Sequence, residues 1–207
     1  MSVIKVKICG ITNLEDALAA ADAGTDALGF NFYRKSPRYV EPLEAQKIIE
    51  QLPPFVAAVG VFVNEPEPQR VAEMASQLKL NAIQLHGDES PDYCAQLNDW
   101  RIIKALRVSS TFKPEHLSHY AVGAVLLDAY KDGEYGGTGE VFAWDVAMEA
   151  KRYAPIILAG GLNPSNIEQA IKTVNPYGVD VASGVESSPG KKDRNKVREF
   201  VVKAKSV

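Results

Sequence analysis

Short runs of Val, Ile and Leu alternate along the whole chain with segments whose apolar residues recur every three to four positions. The first kind reads as buried parallel strand, because a strand covered on both faces carries a near-continuous apolar run. Eight strands are predicted, at residues 3–8, 27–32, 56–61, 82–85, 101–106, 123–128, 155–159 and 178–182. The second kind reads as amphipathic helix. Leu14, Ala17, Leu18 and Ala21 make one stripe, with Thr12-Asn13-Leu14-Glu15 as a capping box and Gly24 at the far end. Val71, Met74, Ala75 and Leu78 make another, and Val197, Phe200, Val201 and Ala204 a closing one capped by Asp193. Pro42, Ser90-Pro91 and Asn163-Pro164 mark further helix starts. Residues 112–120 carry an irregular helical pattern, with His116 and His119 read as surface residues.

Eight strands alternating with helices allow an open doubly wound sheet or a closed barrel. Spread over eight units, 207 residues leave about 26 each, compact against the roughly 250 of an average α/β barrel. No linker or composition shift marks a second domain. The expected fold is a single-domain (β/α)8 TIM barrel over residues 1–207, with its site where strands end and the following loops begin.

Strand side chains alternate between faces, so each residue's side follows from parity. Ile4, Val6 and Ile8 belong against the helices, which turns Lys5, Lys7 and Cys9 into the barrel. Ile83 and Leu85 likewise turn Gln84 and His86 inward. Asp128 closes the sixth strand, Asp180 lies in the eighth, and Lys104 in the fifth is assigned inward. A charge inside a barrel must be paired, so Lys7 is expected to meet Asp128 or Asp180.

Charge and composition narrow the function classes. A formal net charge of −3 without a basic arm makes a poor nucleic-acid binder. No run approaches the roughly 20 apolar residues of a membrane span, and the start MSVIKVKICG has no signal-peptide core. Two cysteines make no disulfide framework, and three histidines without paired spacing make no metal motif. The expectation is a reduced, cytoplasmic, metal-free protein.

The strand ends carry the chemistry. Cys9 precedes Gly10 at the rim and reads as a reagent or a small buried hydrophobe; Cys94, on a helix, reads as packing. Asp128 is an acid or a loop cap, and His86 a ligand contact or a backbone partner. Gly160-Gly161 follows the seventh strand and Ser183-Gly184 the eighth. One glycine pair is no more than a tight turn, but two at these strand ends favour phosphate, with residues 185–188 as the short extra helix. Arg34, Lys35 and Arg38 crowd the second loop, where an arginine fork suits a carboxylate. Residues 129–140, with four glycines, read as a flap or a surface loop.

Lys7-Ile8-Cys9-Gly10-Ile11-Thr12, Lys35-Ser36-Pro37-Arg38, Gln84-Leu85-His86-Gly87, Leu126-Leu127-Asp128, Gly136-Gly137-Thr138-Gly139, Ala159-Gly160-Gly161-Leu162 and Asp180-Val181-Ala182-Ser183-Gly184-Val185-Glu186 stand in that order. Together they resemble the phosphoribosylanthranilate isomerase family over nearly the whole chain. The resemblance implies an Amadori rearrangement of N-(5-phosphoribosyl)anthranilate to 1-(2-carboxyphenylamino)-1-deoxyribulose 5-phosphate in tryptophan biosynthesis. It implies Asp128 as general acid for the ring oxygen and Cys9 as general base at C2. The acid should have a raised pKa, and the thiolate should be favoured by Lys7. It also implies that Arg38 holds the anthranilate carboxylate. Gly160, Gly161, Ser183 and Gly184 hold the phosphate, and His86 and Asp180 contact substrate. Phe30 or Phe32 is the expected wall for the aromatic ring. Another phosphosugar barrel, or a non-catalytic phosphate-binding barrel, would explain the glycine loops but not Cys9, Arg38 and Asp128 together.

Overall fold

The computed structural model describes residues 4–109, 111–129 and 144–207. Eight parallel strands close into a barrel: β1 (Lys5–Cys9), β2 (Ala27–Asn31), β3 (Ala57–Phe62), β4 (Ala82–Leu85), β5 (Ile102–Val108), β6 (Ala124–Ala129), β7 (Ile156–Leu158) and β8 (Gly178–Val181). Closure is made by β1 on β8, with Lys7 in register with Asp180. Helices α1 (Leu14–Asp22), α2 (Pro42–Ile49), α3 (Pro68–Gln77), α4 (Pro91–Ala95), α5 (Trp144–Ala150), α6 (Ile167–Val174) and α7 (Arg194–Lys205) follow successive strands, and a 3₁₀ helix (Pro114–His119) stands between β5 and β6. Among the described residues, no helix is long and apolar enough to cross a membrane.

Two apolar layers show which face of each strand is which. Val6, Ile8, Leu28, Phe30, Ile83, Leu85, Val125, Leu127, Val179 and Val181 belong to the large core beneath the helices. Ala105, Ala124, Leu126, Ile157 and Ala159 form a smaller cluster on the opposite faces, which line the barrel interior. Parity therefore turns Lys7, Cys9, Gln84, His86, Asp128 and Asp180 inward, as expected from sequence. Lys104 goes the other way. Its neighbours Ile103 and Ala105 face the interior cluster, so its side chain enters the layer between sheet and helices and meets Glu89 at 2.7 Å. Phe30 is fully buried in that outer core, and Phe32 packs there against Phe62, with ring centroids 5.3 Å apart and the rings tilted by 39°. Neither ring lines the interior.

Local signals were displaced in three places. The cap of α1 is Asn13, not Thr12: Asn13 accepts from the Asp16 N–H and donates to its carboxylate at 2.8 Å. Thr12 instead donates to the Gly190 carbonyl at 2.6 Å. Asn163 accepts from the Ser165 N–H in a tight turn, and α6 begins only at Ile167. Residues 185–188 make no helix. A 3₁₀ turn (Ser183–Val185) leads into a hairpin of β9 (Glu186–Ser188) and β10 (Lys191–Lys192), because Glu186 is drawn inward by two cations.

Candidate active site

The mouth at the C-terminal ends of the strands is built from three groups of side chains. The first lies on β1 and β8. Lys7 Nζ donates to Asp180 Oδ1 at 2.9 Å, and both side chains are buried. Cys9 lies two residues on, on the same face. Gly29, opposite Cys9 in β2, makes room for them: a Cβ there would come 2.7 Å from Cys9 Sγ and 2.9 Å from Lys7 Nζ. Burial opposes the charge on Lys7, yet Asp180 and Cys9 hold its ammonium above the usual lysine range. Burial pushes the Cys9 thiol up; Lys7 pulls it down, but Asp180 adds to the push and the thiol stays above its ordinary value. Lys7 favours the thiolate, as expected from sequence, but burial outweighs its pull.

The second group joins β4 to β6. Gln84 Nε2 lies 2.8 Å from His86 Nδ1, and His86 Nε2 lies 3.3 Å from Asp128 Oδ2. Gln84 is fully buried while His86 and Asp128 are partly open to the mouth. The turn after His86 is held from behind. Glu89 accepts from the Gly87 and Asn64 N–H groups, and Lys104 donates to Gly87 O, Leu85 O and Glu89. Gly87 lies so close to Asn64 that a Cβ would meet its Oδ1 at 2.1 Å.

The third group joins the β2 loop to the hairpin after β8. Arg38 Nε and Nη2 donate to the two oxygens of Glu186 at 2.8 and 2.7 Å. Lys192 Nζ donates to the same carboxylate at 2.8 Å and to the Cys9 carbonyl at 2.6 Å. Burial pushes Glu186 up, but Arg38 and Lys192 hold it below the usual carboxylate range. Burial draws Lys192 below the usual lysine range against the opposing pull of Glu186. The Arg38 stem lies across Gly10, where a Cβ would come 2.5 Å from its Cδ. Gly10 has φ +78°, open to glycine at low cost.

The glycine loops lie together beside this group. Gly160 and Gly161 have φ of +79° and +66°. The side-chain amides of Asn163 and Asn166 both donate to the Gly161 carbonyl and so set its loop. A Cβ on Gly184 would lie 1.9 Å from the Leu162 carbonyl oxygen, so the loop after β8 is pressed onto the loop after β7. Ser183 opens the 3₁₀ turn at that contact.

The structure thus brings Cys9, Arg38 and Asp180 to one side of the mouth, His86 and Asp128 to another, and Gly160, Gly161, Ser183 and Gly184 to a third. Glu186 and Lys192 were not singled out from sequence. Glu186 was visible only as the end of a motif, and nothing local to Lys192 marks it as buried. Residues 130–140 of the glycine-rich loop lie outside the described residues. Among the described residues, no cluster of three or more His, Cys, Asp or Glu is arranged to hold a metal ion.

Comparison with known proteins agrees with this geometry. Residues 6–203 match the family model for N-(5′-phosphoribosyl)anthranilate (PRA) isomerase. An N-(5′-phosphoribosyl)anthranilate isomerase of Geobacter metallireducens is 55% identical over 203 residues, covering 98% of this chain and 100% of the relative. The crystal structure of phosphoribosyl anthranilate isomerase from Thermotoga maritima superposes with a TM-score of 0.92 at 47% identity, over 99% of this chain and 100% of that one. A further isomerase structure, solved in complex with reduced 1-(o-carboxyphenylamino)-1-deoxyribulose 5-phosphate, gives 0.88 at 44% identity, again over 99% of this chain and 100% of that one. Barrel, strand-end residues and whole-length similarity agree: the chain belongs to the N-(5′-phosphoribosyl)anthranilate isomerase family of tryptophan biosynthesis.

Proposed function

We propose that Asp128 and Cys9 divide the proton transfers of the Amadori rearrangement between them. Asp128 protonates the furanose ring oxygen of N-(5′-phosphoribosyl)anthranilate. The C1–O bond breaks, the oxygen leaves as the C4 hydroxyl, and the anilino nitrogen lone pair forms the C1=N Schiff base. Cys9, as thiolate, removes the C2 proton, and those electrons form the C1=C2 enolamine. A proton returns to C1 while the C2 hydroxyl loses one, which gives the ketone 1-(2-carboxyphenylamino)-1-deoxyribulose 5-phosphate.

One observation carries this reading: each reagent stands at an inward strand end with a proton-handling partner behind it. His86 serves Asp128. The buried Gln84 amide can turn either end toward Nδ1, so Nε2 either donates to the carboxylate or accepts from the protonated acid. Lys7 serves Cys9 by stabilising the thiolate once substrate excludes water. Arg38 faces the anthranilate carboxylate. Gly160, Gly161, Ser183 and Gly184 take the phosphate through backbone N–H groups and the serine hydroxyl. Asp180 reaches substrate from the Lys7 side. Acid–base transfer of this kind needs no metal or organic cofactor. The enzyme acts in the cytoplasm as a monomer or homodimer.

Replacement of Cys9 or Asp128 by Ala tests the assignment. General acid or base catalysis is worth about 10²–10⁴-fold, so each variant should lose at least about a hundredfold in kcat. Each should still bind the reduced product analogue.

A further inference from the structure

An arginine guanidinium has five N–H donors arranged along two bidentate edges. In Arg38, the Nε–Nη2 edge is taken by both oxygens of Glu186. Among the described residues, no group takes the other edge, Nη1 with the second Nη2 hydrogen. The Glu186 side chain is 5% exposed and that of Arg38 21%, so the pair is open only from the arginine side. Glu186 is itself fixed by Lys192 and by the Gly190 N–H, and Gly10 leaves no freedom beneath the Arg38 stem. The trio of Arg38, Lys192 and Glu186 carries a single net positive charge, matched to one carboxylate.

We propose that Glu186 is a positioning residue for substrate specificity: it holds Arg38 by one edge, so that the opposite edge is aimed at the carboxylate of the aromatic substrate. Glu186 does not touch substrate. It sets how strongly the enzyme prefers an ortho-carboxylated aryl amine over a plain one. The inference rests on the reading of Arg38 as the carboxylate-binding residue.

Two substrates separate the claims: N-(5′-phosphoribosyl)anthranilate and N-(5′-phosphoribosyl)aniline, which lacks only the carboxylate. Both are made fresh from ribose 5-phosphate and the amine, and ketose product is quantified by chromatography. The readout is the ratio of kcat/KM between them. In Glu186→Gln this ratio should fall about tenfold, mostly through KM for the carboxylated substrate. In Arg38→Met it should fall further. If Arg38→Met leaves the ratio intact, the reading of Arg38 fails. If Arg38→Met lowers the ratio but Glu186→Gln leaves it intact, or slows both substrates equally, Glu186 is a structural residue and the inference is overturned. Glu186→Asp keeps the charge beside Lys192 while shortening the reach. It must show the same selective loss, including where Glu186→Gln does not accumulate as folded protein.

Discussion

Among the buried lysine–carboxylate pairs of the described residues, two of similar length are built differently. Lys104–Glu89 lies at 2.7 Å in the layer between sheet and helices, and Lys7–Asp180 at 2.9 Å inside the barrel. Lys104 gives all three of its protons, to Leu85 O, Gly87 O and Glu89, while Glu89 in turn accepts from two backbone N–H groups. Lys7 has one carboxylate oxygen and then the Cys9 sulfur across Gly29. A buried pair is favourable only when its remaining hydrogen bonds are satisfied. The saturated pair is an anchor for the turn that carries His86. The unsaturated pair keeps donor capacity beside a reagent.

Replacing each pair by apolar residues should separate these roles. Lys7→Met with Asp180→Leu should leave the fold standing, since an apolar pair of similar volume is often neutral. It should cut turnover at least about a hundredfold, because Cys9 loses its cation. Equal activity would make the inner pair structural too. Lys104→Met with Glu89→Leu should cost about 2–3 kcal/mol of stability, since backbone groups at Leu85, Gly87 and Asn64 lose partners. Thermal unfolding measures it, and activity per folded molecule should fall far less than in the inner double variant.

A gentler change sharpens the comparison on the Cys9 side. In a Cys94→Ala background, the rate of thiol alkylation against pH reports the Cys9 thiolate. Its midpoint should lie above the ordinary thiol value of about 8.5, since burial pushes the thiol up. Lys7→Met removes the cation that favours thiolate, so the midpoint should move higher still. Asp180→Asn removes an opposing negative charge and frees Lys7, so it should move lower. Shifts in one direction for both variants would contradict the arrangement.

The smallest effect lies behind the rim. Asn13→Ala removes the cap of α1, which follows Cys9, and should cost about 1 kcal/mol. Turnover should hold. A large loss would mean that general loosening, not the inner pair, governs Cys9.

Parity was legible in the sequence because one strand face must be apolar wherever helices cover it. Lys7, Cys9, Gln84, His86 and Asp180 were all assigned correctly on that ground. Lys104 broke the rule because it found a buried partner in Glu89, fifteen residues earlier in the loop after β4, which alternation within β5 cannot reveal. The same limit hid the Arg38–Glu186–Lys192 group, whose members come together from positions 148 and 6 residues apart. The glycine motifs were readable as loops, but only the contact of Gly184 with Leu162 joins them. The capping signal over residues 12–15 was correct in kind and displaced by one residue, since Thr12 was drawn to Gly190.

The central claim is that Cys9 and Asp128 are the two reagents. The direct measurement is turnover of freshly made N-(5′-phosphoribosyl)anthranilate, followed by loss of anthranilate fluorescence, in the native chain, Cys9→Ala and Asp128→Ala. The account predicts conversion by the native chain and a loss of at least about a hundredfold in each variant. Native-level turnover in either variant would contradict the role assigned to that residue, and in both would contradict the mechanism.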